Sequence, residues 1–205
     1  MSKIKYFIQQ SWLLIVTSFF FGLLIAVANA AWLPKIEQNK KDKLNNLMRG
    51  LVSKAATFEV ALADLQIPQK GKAATTDVYK AIDPNGQAAG FVFIAEGGGF
   101  ADKIELVIAV DANCEKFLGF KVLWCNETPG FGDRIKGTYF GEQFKGAPTK
   151  NFKLIKTGRA EDIDDEIVAI SGATVSSTAV VNIFNTYIDK VKDQLQKKGI
   201  ISNGK

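Results

Sequence analysis

The chain contains no histidine and only two cysteines, Cys114 and Cys125, among its 205 residues. Histidine is the usual metal ligand and general base at neutral pH, so its absence argues against zinc enzymes and histidine-dependent hydrolases. Two cysteines are too few for a four-cysteine zinc or iron–sulfur site; they are predicted to be ordinary thiols, with one disulfide as the alternative. No catalytic residue and no metal site are predicted, and any redox chemistry would need a bound cofactor.

Charge is also limited, with a net value of +5 at neutral pH. Several of the lysines flank the apolar N-terminal segment, where anionic lipid headgroups explain their presence. A nucleic-acid partner is therefore not predicted.

The N-terminal region has a long apolar run, since residues 11–33 hold no charged side chain. A bilayer core needs about 20 such residues, so the run is predicted to be one transmembrane helix after a short tail, residues 1–10. The alternative is a cleaved signal peptide, because Ala28-Asn29-Ala30 fits the small-x-small cleavage pattern. Residues 34–52 have apolar positions at helical spacing and are predicted to form an amphipathic connecting helix, with Pro34 ending the first helix or starting this one.

Residues 53–205 are predicted to form one α+β domain, a mostly antiparallel sheet with flanking helices. Strand-like segments follow one another with short links, as hairpin-connected strands do. These segments are residues 78–82, 90–95, 104–110 and 117–124. Gly97-Gly98-Gly99 is predicted to be a flexible hairpin loop, with close passage of the backbone by a ligand or partner as the alternative.

The motif Ser171-Gly172-Ala173-Thr174 lies between a β-branched run, residues 167–170, and a segment with apolar residues at helical spacing. It is predicted to be a small-residue turn from a strand into a helix. A helix N-terminus with nearby glycine is a natural seat for a phosphate group. The alternative is an ordinary turn in which a hydroxyl caps the helix.

A second motif, Glu127-Thr128-Pro129-Gly130-Phe131-Gly132-Asp133, follows the last predicted strand of the sheet. Proline fixes one backbone dihedral and the two glycines permit unusual ones, so the stretch is predicted to be a rigid turn. A turn at a strand end is a common place for a functional site, although Glu127 and Asp133 could also be solvated loop charges.

These two motifs, in this order, resemble the covalent FMN-binding family of Rnf and Nqr membrane electron-transfer subunits. With the N-terminal helix and the glycine loop, the resemblance covers essentially the whole chain. It implies that Thr174 carries FMN through a phosphoester bond, and that Trp124 and Phe131 are candidates for stacking on the flavin, with a core role as the alternative. It also implies cofactor contacts from residues of both motifs, namely Ser171, Gly172, Ala173, Glu127, Thr128 and Gly130.

The resemblance implies an electron-transfer subunit of a membrane-bound, ion-translocating Rnf-type ferredoxin:NAD oxidoreductase complex, a translocase. The chain would not act on NAD or ferredoxin alone, since it has no dinucleotide fingerprint. Its partners would be other membrane and peripheral subunits, a flavin transferase that attaches FMN, and the lipid bilayer. The domain would lie on the extracytoplasmic side of a bacterial or archaeal cell membrane, on a single-pass anchor. The alternatives are the equivalent C subunit of the sodium-translocating NADH:quinone reductase and a membrane-anchored binding module without a redox group.

Three positions depart from the family pattern. Phe131 replaces the usual leucine, and Cys125 with Asn126 occupy a stretch where histidine is common. Val168 stands where aspartate usually precedes the attachment motif, and acidic residues within 162–166 could take its place. This last difference concerns flavin attachment and leaves the predicted fold unchanged.

Overall fold

The computed structural model of the protein describes residues 3–68 and 73–201. Its contacts divide the chain into two units, Met1–Lys43 and Leu44–Lys205. The elements in chain order are α1 (Lys3–Leu51), β1 (Thr57–Ile67), β2 (Ala74–Ile82), β3 (Ala88–Gly98), β4 (Lys103–Val110), β5 (Phe117–Cys125), a 3₁₀ helix (Gly132–Lys136), α2 (Thr138–Glu142), β6 (Lys153–Ile155), β7 (Glu166–Val168) and α3 (Thr174–Lys197).

The N-terminal helix α1 is continuous through Pro34, so the prediction that a helix ends or starts there is wrong. The predicted N-terminal tail is likewise helical from Lys3 onward. Proline removes one backbone hydrogen bond, but the helix has a hydrogen-bond ladder on both sides of the gap. The stretch Gln9–Leu51, whose most apolar part has a mean hydropathy of 2.3, is long and apolar enough to cross a membrane. The limits 11–33 for a membrane-spanning part stay a prediction.

The second unit is built on an antiparallel five-stranded sheet with the strand order β1-β2-β3-β4-β5. This confirms the predicted α+β class and the predicted hairpin connections. In β4 only Lys103 is exposed, because the strand is covered on both faces. Its alternate residues belong to two separate apolar clusters, Ile104 and Leu106 to one and Val107 and Ala109 to the other.

The two apolar clusters lie on opposite faces of the sheet, as strand alternation requires. The smaller one joins β2–β5 to the end of α1, which contributes Met48 and its partly buried neighbours Leu44 and Leu51. The larger one joins the sheet to the apolar face of α3. Tyr187 of α3 also accepts a hydrogen bond from the backbone N–H of Glu96, with its hydroxyl oxygen 3.1 Å away. The helix that begins at Thr174 is thereby fixed on one face of the sheet.

Two elements were not predicted clearly. The edge strand β1 shows a mostly exposed pattern and two register shifts against β2. Asp64, with φ of 53°, lies within the second shift and its N–H donates to the carboxylate of Asp77 at 3.0 Å. Bulges of this kind obscure the alternation from which a strand is predicted. The other element is β6, which pairs in parallel with β7. β7 itself overlaps the strand predicted in residues 167–170 and leads to α3.

Both cysteines are free thiols, as predicted. Burial, with a further contribution from Asp111, raises the pKa of the Cys114 thiol to about 12. Because the thiolate is the reactive form, Cys114 is a packing residue at neutral pH.

Under α3 the core is dominated by packed phenylalanine rings. Phe184 is fully buried, and its ring centroid lies 4.6 Å from that of Phe144 and 5.0 Å from that of Phe117. Phe120 and Phe152 lie 5.4 and 5.6 Å from the same ring. These rings join α3, β5 and the segment after α2 in one core.

We expect Phe184→Ala to lower the free energy of unfolding by about 3–5 kcal/mol, because it leaves a cavity among the rings that surround it. Urea unfolding of the full chain in detergent, followed by tyrosine and tryptophan fluorescence, measures the loss. Val60→Ala is the matched control, since this side chain is 55 % exposed and its truncation should change stability by less than about 0.5 kcal/mol. Equal losses in the two variants would contradict this description of the core.

Candidate functional site

The turn from β7 into α3 has the geometry that its small residues permit. Gly172 adopts a φ of +81°, which favours glycine. Ser177 is fully buried and links the two ends of the turn: its hydroxyl accepts from the N–H of Ile170 at 3.1 Å and donates to the carbonyl of Ala173 at 3.0 Å. The strand end and the helix start are therefore held together by a side chain of the helix itself.

The N-cap of α3 is Ala173, and no side chain of the described residues caps the helix there. The interpretation of the motif as an ordinary hydroxyl cap is therefore wrong. The first N–H groups of a helix have no partner within the helix, so this end keeps unpaired donors and a partial positive charge. Both Ser171 and Thr174 are exposed beside it.

The hydroxyls at the start of α3 have distinct positions. Ser176 donates to the carboxylate of Glu127, and Thr178 donates to the carbonyl of Thr174 at 2.8 Å. Ser177 closes the turn, as described above. Among the described residues, the hydroxyl of Thr174 has no hydrogen-bond partner, and it is exposed. Thr174 is therefore the one hydroxyl of this cluster that is available for chemistry.

Glu127 is buried, with 5 % of its surface exposed, and its carboxylate accepts hydrogen bonds from two distant segments of the chain. The N–H of Phe100 lies 3.0 Å from Oε1, that of Ala101 also 3.0 Å, and that of Asp102 3.4 Å. Ser176 donates from the first turn of α3. The carboxylate thus joins the β3–β4 turn and the start of α3 to its own segment at the end of β5.

Two glycines make room for this carboxylate. A Cβ atom on Gly99 would lie 2.5 Å from Oε1 of Glu127. A Cβ atom on Gly132 would lie 2.6 Å from the hydroxyl oxygen of Ser176 and 2.9 Å from Cβ of Glu127. Gly97 and Gly98 form the end of β3, so the predicted flexible hairpin loop is wrong for these two residues. Gly99 passes close to a side chain of the same protein, and close passage by a ligand or partner stays a prediction.

The pKa of Glu127 is lowered from its ordinary value. Burial alone would raise it, but the hydrogen bonds from Ser176 and from the N–H groups of Ala101, Phe100 and Asp102 together favour the ionised form. The site therefore contains a negative charge at neutral pH, surrounded by donors.

The loop after Glu127 turns back toward the α3 corner. Gly130 has a φ of +78°, and the N–H groups of Phe131 and Asp133 donate to the carbonyl of Thr128 at 3.2 and 3.3 Å. A Cβ atom on Gly172 would lie 3.3 Å from Cδ1 of Phe131, so the phenyl ring lies over the Ser171-Gly172-Ala173-Thr174 turn.

Arg134 adds a second link between the loop and the motif, because its guanidinium lies 3.4 Å from the carbonyl oxygen of Ser171. Oδ1 of Asp133 is buried and has no hydrogen-bond partner among the described residues. The predicted rigid turn and the predicted strand-to-helix corner are therefore one structural region.

Three apolar side chains are exposed on the segments joined by Glu127: Phe100 by 67 %, Phe131 by 56 % and Val175 by 55 %. Trp124 lies elsewhere. It pairs in register with Glu105, whose neighbour Ile104 packs under α3, so Trp124 points to the opposite face of the sheet. The structure thus brings Phe131, and not Trp124, to the corner.

Ser176 was not predicted as a site residue. The sequence did contain an indication, because Ser176 and Ser177 precede Val180 and Val181 by four positions and so share the apolar face of the helix. A hydroxyl on a buried helix face needs a partner. That partner, Glu127, could not be identified from the spacing, since 49 positions separate the two residues.

The region from Gly99 to most of α3 defines a recognised class of domain. The family model described as "FMN-binding domain" matches residues 99–189, which include both motifs. The fold has counterparts among solved structures: NqrC from Shewanella oneidensis superposes with a TM-score of 0.56 at 23 % identity, covering 71 % of this chain and 73 % of that one. The C subunit of the Na(+)-translocating NADH-quinone reductase from Parabacteroides distasonis gives 0.54 at 20 %, covering 82 % and 96 %. The protein therefore has an FMN-binding domain after an apolar N-terminal helix.

Curated relatives match over most of the chain. The G subunit of the proton-translocating ferredoxin:NAD(+) oxidoreductase complex from Clostridium ljungdahlii is 30 % identical, over 87 % of this chain and 88 % of the relative. The G subunit of the ion-translocating oxidoreductase complex from Methanosarcina acetivorans is 28 % identical, over 88 % and 92 %. The chain belongs to the family of G subunits of ion-translocating oxidoreductase complexes.

The lowered pKa of Glu127 predicts a pH-dependent contribution to stability. Because the carboxylate has a lower pKa in the folded than in the unfolded state, its contribution is complete above the unfolded value of about 4.3 and is lost as the pH falls through the folded value. We expect the melting temperature of the wild type to exceed that of Glu127→Gln at pH of about 7, and the difference to shrink as the pH is lowered toward about 3.

Thermal unfolding of the full chain in detergent across this pH range measures the difference. Glu115→Gln is the matched control, since the Glu115 side chain is exposed and its replacement should leave the curve close to that of the wild type. A difference between wild type and Glu127→Gln that does not change with pH would contradict the ionised, hydrogen-bonded carboxylate.

Proposed function

We propose that this protein is the electron-carrying subunit of an Rnf-type ferredoxin:NAD oxidoreductase complex, and that it carries FMN through a phosphoester bond to Thr174. The observation that carries the proposal is the exposed hydroxyl of Thr174, unpaired at the uncapped N-terminus of a long helix. Its neighbours Ser176, Ser177 and Thr178 are all committed to protein partners.

The described residues fit an FMN phosphate at this corner. The helix start offers unpaired N–H groups and a partial positive charge to offset the phosphodiester's charge. Gly172 and Ser171, next to the hydroxyl in the chain, are both exposed. Ala173 is the small N-cap residue. Its own N–H is already bonded to the carbonyl of Ile170 at 2.9 Å and is therefore not one of the free donors.

The exposed apolar side chains Phe100, Phe131 and Val175 suit a flat aromatic ring held at this corner. Thr128 and Gly130 are exposed on the adjoining loop and would border the ring. When bound, FMN supplies the one- and two-electron redox chemistry that the side chains of this chain lack. The role of the protein is to hold the phosphate, cover part of the ring and set the charge around it.

Attachment of FMN to Thr174 would require a separate flavin transferase acting on FAD. The hydroxyl is a point of attachment and takes no part in later electron transfer. Val168, which stands at the position usually occupied by aspartate, is buried at the end of β7 and cannot supply a carboxylate. Any acidic contact for the transferase would therefore come from the nearby acids before the motif, of which Asp162, Asp164 and Glu166 are exposed and Asp165 is half-buried.

We further propose that residues 11–33 of α1 anchor the chain in a bacterial or archaeal cell membrane and that the FMN-binding domain lies on the extracytoplasmic side. The other subunits of the complex would then supply the ferredoxin and NAD sites and the ion pathway, so that the whole assembly is a translocase. Support comes from the apolar stretch of α1 and from the G subunits that match most of this chain. The likeness to the C subunits of quinone reductases is a likeness of fold, at 23 % identity or less.

We expect Thr174→Ala, produced together with the flavin transferase, to lose covalent flavin completely, because the variant has no oxygen to form the phosphoester. Ultraviolet fluorescence of the band in a denaturing gel detects covalent flavin. Thr178→Ala is the matched control: it removes a hydroxyl one turn along the same helix, and that hydroxyl already donates to the Thr174 carbonyl. Fluorescence retained in Thr174→Ala and lost in Thr178→Ala would contradict the assignment of the attachment site.

The orientation can be tested with Glu161→Cys, which places a thiol on an exposed loop of the domain. We expect a membrane-impermeant maleimide to label this variant in intact spheroplasts as strongly as after lysis. The unsubstituted chain gives the background, which is small because Cys114 is buried and Cys125 is half-buried. Labelling of Glu161→Cys only after lysis would contradict an extracytoplasmic domain.

A further inference from the structure

The three segments around Thr174 are far apart in the sequence, yet one side chain holds them together. Glu127 accepts from the backbone of residues 100–102, which is the β3–β4 turn, and from Ser176 in α3. Ser176 lies two positions after Thr174 in the first turn of the helix. The position of Thr174 relative to the exposed rings of Phe100 and Phe131 therefore depends on this carboxylate.

The geometry also shows that Glu127 has little capacity left for a cofactor. A carboxylate has about four lone-pair sites, and four donors already point to this one. Only 5 % of the residue is exposed, and Gly99 and Gly132 close over it. A group bound at Thr174 would thus meet the segments that Glu127 arranges, and not Glu127 itself.

We propose that Glu127 is a positioning residue of the flavin site, acting through Ser176, which sets where Thr174 lies relative to the β3–β4 turn. This inference rests on the proposed attachment of FMN to Thr174. Hydrogen bonds to an ionised acceptor are the strong class in proteins, so a single carboxylate can fix three short segments at once. The resemblance implies that Glu127 contacts the cofactor, whereas in this proposal Glu127 supports the site without touching the cofactor.

The first arm of the test needs no flavin. Full-length chain produced without the transferase is compared by hydrogen-exchange mass spectrometry as wild type, Glu127→Gln and Ser176→Ala. We expect Glu127→Gln to speed exchange by about ten-fold or more in both 99–103 and 177–180, the first hydrogen-bonded amides of α3, as the effect of losing bonds to a charged acceptor. Ser176→Ala should speed exchange in 177–180 and leave 99–103 close to the wild type. Unchanged exchange in 177–180 in both variants would overturn the proposal.

The second arm measures flavin in chain produced with the transferase. We expect Glu127→Gln and Ser176→Ala each to lower covalent flavin several-fold, and the double variant to lower it no further than Glu127→Gln alone. In the flavin that remains attached, the visible circular dichroism band should change in Ser176→Ala, because the surroundings of the ring have shifted. Thr186→Ala is the matched control: it removes an exposed hydroxyl from the same helix, three turns farther on, and should leave both measurements as in the wild type.

The outcomes separate this proposal from the one on which it rests. Flavin lost in Glu127→Gln but unchanged in amount and spectrum in Ser176→Ala would overturn the positioning role and favour direct contact with the cofactor. Flavin retained in Thr174→Ala would instead overturn the attachment site, whatever the exchange data show. If Glu127→Gln fails to fold, as judged by a lost melting transition, Ser176→Ala alone decides, since it removes one hydroxyl and keeps the carboxylate with its backbone donors.

Discussion

The buried carboxylate of Glu127 is the constraint on which the arrangement of the site depends. An ionised group removed from water is costly unless donors replace the lost solvent. Here the donors are three backbone N–H groups of one turn and a hydroxyl of α3, and together they keep the group charged. Because the donors must converge on one carboxylate, the segments that carry them have fixed relative positions.

The convergence of these donors on Glu127 also explains why glycine occupies positions 99 and 132. Neither Gly99 nor Gly132 has a φ in the left-handed region, so backbone freedom does not account for them. Each is next to the carboxylate or its hydroxyl partner at a distance where any Cβ would collide. Gly130 and Gly172 are of the other kind, since both adopt positive φ in turns. The two motifs therefore combine glycines that shape a turn with glycines that give space to Glu127.

The rigid sheet and the core beneath α3 supply the frame for this arrangement. β4 is covered on both faces, and the phenylalanine cluster joins α3 to β5. The ends of a helix fray more easily than its interior. In this protein Ser177 ties it to the end of β7 and Ser176 ties it to Glu127, so the helix is held at the very end where Thr174 is exposed.

Local sequence patterns predicted the parts of this fold that local interactions determine. The apolar run 167–170 followed by helical spacing predicted the strand-to-helix corner, and the nearly continuous apolar run 104–110 predicted β4. The edge strand β1 was missed because bulges and exposed positions remove the alternation. The helix boundary predicted at Pro34 was wrong because proline removes only one backbone hydrogen bond of a helix, and α1 continues on both sides of it.

The role of Glu127 was beyond the reach of local patterns for a different reason. Its partners lie 25–27 positions before it and 49 positions after it, and nothing in the spacing of a charged loop residue indicates such contacts. A loop carboxylate is most often solvated, and only its burial in the folded protein shows otherwise. The family resemblance indicates that the loop belongs to the functional site. The hydrogen bonds that give Glu127 its role are visible only in the tertiary structure.

The choice of alanine at the N-cap of α3 connects these observations. Serine or threonine there would satisfy one of the free N–H groups and stabilise the helix by about 1 kcal/mol, so a cap would be the expected solution for a purely structural turn. Ala173 leaves those donors unpaired, while the protein binds the hydroxyls of Ser176, Ser177 and Thr178 to partners of its own. The result is an uncommitted hydroxyl on the first residue of the helix, at its positive end, in a chain without histidine or a metal-binding cluster among its described residues. This helix start has no side-chain cap, although the hydroxyls that follow it are hydrogen-bonded within the protein. An external anion explains that arrangement better than the stability of the fold does.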